Sequence, residues 1–111
     1  MESKDSAQTL NYFLSPNMLS ITSIHLNGSN YAQWAQAVEV FLLGRKKFDY
    51  MIKEPPVPTD PKFADWRAED AQIRSCLWNS MESKINCSLV FLPTAKLVWE
   101  QAKELTLVLT I

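Results

Sequence analysis

An all-α fold is predicted: a small bundle of about four or five helices behind an irregular N-terminal arm. Three observations predict it. Only two glycines occur among 111 residues, too few for the tight turns of a hairpin-rich β fold. Three apolar runs repeat at helical spacing, beginning at Tyr31, Phe63 and Ala95. Prolines fall between those runs, at 55–61 and at Pro93, where they end one helix and let another begin. At 12.7 kDa, with 47% hydrophobic and 21% charged residues, the chain suits one domain with one core.

The elements follow in chain order. Residues 1–20 mix Ser, Asn, Gln and Thr with scattered apolar residues, which reads as a loose arm with a docking segment at Tyr12-Phe13-Leu14. Ile21–Leu26 suits extended chain. Asn27-Gly28-Ser29-Asn30 is a turn signal, with Asn30 placed to cap a helix and Gln33 three positions on, a variant of the capping box. From there Tyr31, Trp34, Val38, Phe41 and Leu42 form one helical face. Gly44 and the cations Arg45, Lys46 and Lys47 suit its C-terminus. Phe48, Met51 and Ile52 give one further helical turn, folded back to close a hairpin.

Pro55-Pro56-Val57-Pro58-Thr59-Asp60-Pro61 is a stiff, extended linker. Asp60 as cap and Pro61 at the first helical position restart the helix. Phe63, Trp66, Ile73, Leu77 and Met81 form its stripe, and Asp70 occupies the gap. Ser83 either caps a new short helix carrying Ile85, Leu89 and Leu92 or continues the same one. After Pro93-Thr94, the residues Ala95, Val98, Trp99, Ala102 and Leu105 form the clearest amphipathic pattern. The expected organisation is an arm at 1–20, a helical domain at 21–105 and an atypical apolar tail at 106–111.

Chemistry is sparse. The only histidine, His25, sits in a Ser/Thr-rich run next to a turn, and with no G-x-S-x-G elbow in the chain no serine is marked as a nucleophile beside it. Cys76 and Cys87 lie eleven apart without the paired spacing of a zinc site, and read as structural thiols. No cofactor, metal or small-molecule substrate is expected. Asp65, Glu69 and Asp70 sit within reach of Arg67 and Arg74, which reads as a surface ion network. Asp70 stands out because a carboxylate on an apolar stripe must be paired or hydrogen-bonded, and a bond to the start of a neighbouring helix would serve. A net charge of −1 argues against a dedicated nucleic-acid module. Arg45, Lys46 and Lys47 are the candidates for a weak RNA contact, although three cations are also an ordinary helix end. The four tryptophans read as core. With no signal peptide or membrane span, a cytoplasmic location is expected. Taken alone, the residues point to a non-enzymatic helical binding or assembly module.

One pattern adds to this. Leu26-Asn27-Gly28-Ser29-Asn30-Tyr31, then Trp34, Val38, Leu42 and Lys47-Phe48, resembles the opening of the first core helix in Gag polyproteins of copia-type LTR retrotransposons. Trp66 with Asp70, and the segment Thr94–Glu100 around Trp99, is similar to that family's later helices. The motif residues are thus Leu26, Gly28, Asn30, Tyr31, Trp34, Trp66, Asp70 and Trp99. The resemblance implies a capsid-like structural protein that associates with itself or other Gag chains and packages element RNA weakly. It also implies an N-terminal piece of Gag, since the family's continuing helices are replaced by Leu105-Thr106-Leu107-Val108-Leu109-Thr110-Ile111. A last helix cut short would leave part of Val98, Trp99 and Leu105 exposed, and so drive association. The alternative is a host-adopted helical adaptor or regulator that binds a protein partner.

Overall fold

The structure, a computed structural model, describes residues 22–110. The arm at 1–20, with Tyr12-Phe13-Leu14, lies outside the described residues. Within them the fold is all-α, with five helices: α1 (Tyr31–Gly44), α2 (Asp49–Ile52), α3 (Phe63–Asn79), α4 (Ser83–Asn86) and α5 (Ala95–Thr110). The last helix packs against both α2 and α3. One core joins them all. Trp34, Val38 and Leu42 enter it from α1 at four-residue intervals, Met51 from α2, and Ile73, Cys76 and Leu77 from α3. Met81, Ile85 and Leu89 enter from α4 and its flanks, and Ala95, Val98 and Ala102 from α5.

The starts of the helices differ from the expected caps. Asn30 precedes α1, but its side chain makes no cap bond. Its Oδ1 accepts from the Asn27 N–H (3.0 Å) and its Nδ2 donates to the His25 carbonyl (2.9 Å). Both ends of the amide are thus engaged by the preceding loop, which leaves no cap bond to the first turn of α1. Asp60 likewise does not cap α3. The Phe63 N–H donates to the Asp60 carbonyl (2.9 Å) and the Lys62 N–H to Asp60 Oδ1 (2.8 Å). With Pro61 at its second position, this is a β-turn that delays the helix to Phe63.

Helix α1 ends in a way its glycine did not suggest. The Lys46 N–H donates to the Leu43 carbonyl (3.0 Å) and the Lys47 N–H to that of Leu42 (2.8 Å), a Schellman motif. The left-handed position is Lys46, at φ 59°, and not Gly44, which is the last residue of the helix. Between α3 and α4 the chain breaks at Ser80–Glu82, so α4 is a separate short helix. Thr94 closes the N-terminus of α5 by accepting the Leu97 N–H on its Oγ1 (3.2 Å).

Helix α5 runs past Leu105 to Thr110. Thr106 is buried there, and its hydroxyl donates to the Ala102 carbonyl (2.9 Å) and lies 3.1 Å from that of Lys103. A hydroxyl bonded one turn back makes a β-branched polar residue acceptable in a helix interior. Of the face expected to be partly exposed, Val98 is instead fully buried, while Trp99 and Leu105 pack on the core and stay half-exposed.

Candidate functional site

The motif residues divide into two places. The first is an anchor where the loop before α1 meets the end of α3. The Leu26 N–H donates to the Ser80 carbonyl (2.8 Å), and the Glu82 N–H donates to the Leu26 carbonyl (3.0 Å), a single parallel bridge between Leu26 and Met81. Gly28, at φ 96°, turns the chain just after Leu26, a conformation that favours glycine. Trp34 then lies fully buried, and its Nε1 donates to Ser80 Oγ (3.0 Å), which donates to the Leu77 carbonyl (2.7 Å). Ser80 therefore receives both Leu26 and Trp34. The Trp34 ring meets Trp99 of α5 at 5.6 Å and Tyr31 at 6.0 Å between centroids, and Phe48 stands edge-on to Trp99 at 5.9 Å. Leu26, Trp34, Tyr31 and Trp99 are thus one assembly. Burial holds the Tyr31 phenol above its ordinary pKa.

Asp70 ties α3 to α5. Its side chain is buried, with Oδ1 accepting from the Ala95 N–H (2.9 Å) and Oδ2 from Arg74 Nε (2.9 Å). Arg74 also donates to the Leu92 carbonyl (3.4 Å). Desolvation raises the Asp70 carboxyl above its ordinary value, against the opposing pull of the Ala95 N–H and of Arg74. Asp70 and Thr94 together satisfy two of the first N–H groups of α5. Of the expected network the Asp70–Arg74 pair forms, and the bond from Ala95 is the neighbouring-helix contact that Asp70's place on the stripe called for, whereas Glu69 leaves the network. Asp70 is a buried strut, and Glu69 turns away from the arginines of its own helix to Lys47 and Tyr50, which both bond it. Desolvation raises the Glu69 carboxyl, but the bonds from Lys47 and Tyr50 outweigh it and hold it below its ordinary value. Burial, with the Glu69 bond, pushes the Tyr50 phenol up.

The basic run does not form one cationic face. Arg45 stacks over the Phe41 ring at 3.7 Å, Lys47 is committed to Glu69, and Lys46 stands exposed without an ion pair among the described residues. No disulfide joins Cys76, buried on α3, to Cys87, which is exposed, and burial pushes the Cys76 thiol up to about 11. No group of three or more His, Cys, Asp or Glu among the described residues could hold a metal ion. No helix there is long and apolar enough to cross a membrane.

Trp66 belongs to the second place, away from the Trp34 assembly. It is half-buried between Tyr50 (6.2 Å, 17° between planes) and Phe63 (5.9 Å, 28°). Clefts border it on the side of the proline linker. Sequence reasoning missed Ser80 and the Tyr50–Glu69–Lys47 cluster. A serine just past a helix end carries no local signal of a buried role. Lys47 and Glu69 lie 22 positions apart, beyond the reach of any helical spacing rule.

Residues 17–56 match the model of a family described as Gag-polypeptide of LTR copia-type. The resemblance read from the motif at Leu26–Trp34 is borne out over that span, which takes in α1, α2 and the first prolines of the linker. Trp66, Asp70 and Trp99 lie beyond it. No curated protein and no solved structure matches the chain.

Proposed function

We propose, from the copia-type Gag signature at residues 17–56, that this chain is a non-enzymatic Gag-like structural protein whose working property is capsid-type self-association. The family match supports the structural class, and it is the observation that carries the reading. The helical domain at 21–105, extended by the rest of α5, is the unit that associates. The signature residues also have a physical task that suits a shell protein. Leu26, Gly28, Tyr31 and Trp34 fasten the first long helix to the end of α3 and to Trp99, which makes a rigid body able to present fixed faces to neighbouring copies.

RNA contact is a minor part of this reading. Of the three candidate cations, only Lys46 is exposed and without an ion pair among the described residues, so any contact is weak and lost in salt. Analytical ultracentrifugation across a concentration series tests the main claim. Association that grows with concentration and persists in high salt is expected. A clean monomer throughout would overturn the reading and move the assignment to an adaptor that binds a different protein.

A further inference from the structure

The surface around Trp66 has features that the core does not explain. Trp66 and Pro56 line three adjoining clefts, one of about 470 Å³. That cleft is lined by Phe63, Trp66 and Arg67 together with Pro55, Pro56 and Pro58 of the linker. The Tyr50 and Phe63 rings stacked on Trp66 hold the indole in place, so this half-exposed aromatic cluster is a preformed apolar surface. Arg67 is exposed and has no ion pair among the described residues, whereas Arg74 in the same lining is committed to Asp70.

The linker supplies a matching segment. Glu54, Pro55, Val57 and Pro58 are exposed, with Val57 at 62%. Residues 54–57 lie outside any helix or turn, before the Asp60 N–H closes a turn on the Val57 carbonyl (2.9 Å), so the first half of the linker suits the polyproline conformation and loses little ordering entropy when it docks on aromatic rings. The Glu54 carboxylate is 84% exposed and pairs with Lys96 at 3.4 Å. Groove and linker are neighbours on one face. Two copies related by a two-fold axis can therefore each place a linker in the other's groove, the self-complementary contact that closed dimers use.

We propose that the Trp66 groove receives the proline-rich linker of a second copy, with the proline rings on Trp66 and Phe63 and Glu54 of each copy pairing with Arg67 of the other. This rests on the self-association reading and names its surface. A contact made by one short segment falls in the class of small, transient interfaces. The dimer is accordingly weak, as suits a shell built from many contacts.

The test is sedimentation equilibrium of the full chain as native protein, Arg67→Glu, Glu54→Arg and the double reversal. Both side chains are exposed, so circular dichroism and melting should stay as in the native chain. Each single reversal should weaken dimerisation about tenfold, and the double should restore it to within about threefold. In parallel, a free peptide of residues 53–61 should shift the Trp66 indole N–H signal among the four tryptophan indoles. Association that ignores the single reversals, or a double reversal no better than either single, overturns the groove contact and leaves self-association standing. A peptide that shifts Trp66 while the chain stays monomeric overturns the second copy as occupant and points to a foreign proline-rich partner. A monomer with no peptide response overturns both readings.

Discussion

Ser80 carries more of the fold than a surface-type residue should, and its removal can be worked through. Ser80→Ala leaves almost no cavity, because only a hydroxyl is lost. It does strand the Trp34 indole N–H, which is fully buried and donates to that hydroxyl at 3.0 Å. A buried donor without an acceptor costs about 1–3 kcal/mol, and losing the bond to the Leu77 carbonyl adds about 0.5–1.5 kcal/mol. Ser80→Ala should therefore destabilise by about 2–4 kcal/mol. Trp34→Phe removes the donor but leaves Ser80 bonded to Leu77, so about 1–2 kcal/mol is expected, mostly lost packing against Trp99. Once the indole is gone, Ser80→Ala has nothing to strand and costs only about 1 kcal/mol more. The double variant should thus fall short of the sum by about 1–3 kcal/mol. Urea unfolding followed by far-UV circular dichroism measures all four proteins, with an unchanged slope confirming a common transition. Strict additivity, or a loss below about 1 kcal/mol for Ser80→Ala, would refute the stranded-donor mechanism.

Three further outcomes are expected. Asp70→Ala should cost about 3–5 kcal/mol, because it leaves Arg74, whose side chain is only 19% exposed, and the Ala95 N–H without their partner; a urea midpoint close to the native one would show that both groups rehydrate freely. Gly44→Ala should stabilise by about 0.5–1 kcal/mol, since the position is helical and a Cβ there meets open space, and Lys46→Gly should gain about as much by relieving the left-handed backbone; a fall in melting temperature for either would contradict the end of α1. Glu69 is held below its ordinary value of 4.5, so its contribution is present above that pH and lost as pH falls through the folded value. Melting temperatures followed from neutral to about pH 3 should therefore show a shallower acid decline in Glu69→Gln than in the native chain, against the opposite slope of Asp70, whose raised carboxyl contributes below its ordinary range and loses that contribution as pH rises. Equal acid slopes in the two proteins would dismiss the Lys47–Glu69–Tyr50 cluster as a stabilising contact.

What the sequence determined by itself is whatever depends on neighbours along the chain. Helical repeats of Trp34, Val38 and Leu42 in α1, and of Ala95, Val98 and Ala102 in α5, mark the buried faces because side chains four apart share a side of any helix. Prolines and the scarcity of glycine set the fold class for the same local reason, and the run from Leu26 to Trp34 carried the family resemblance. The groups that compete for each polar site were not legible. Asn30 and Asp60 have the side chains of caps, yet nearby loop N–H groups took the side-chain oxygen Oδ1 of each. Gly44 looks like a helix stop, yet the chain turns two residues later at Lys46, and Phe48 just beyond packs edge-on against Trp99. Ser80, Glu69 and Asp70 acquire their partners from residues 46, 22 and 25 positions away. Only the tertiary structure decides those, because a buried hydrogen bond is chosen by which groups packing brings together after water has been excluded.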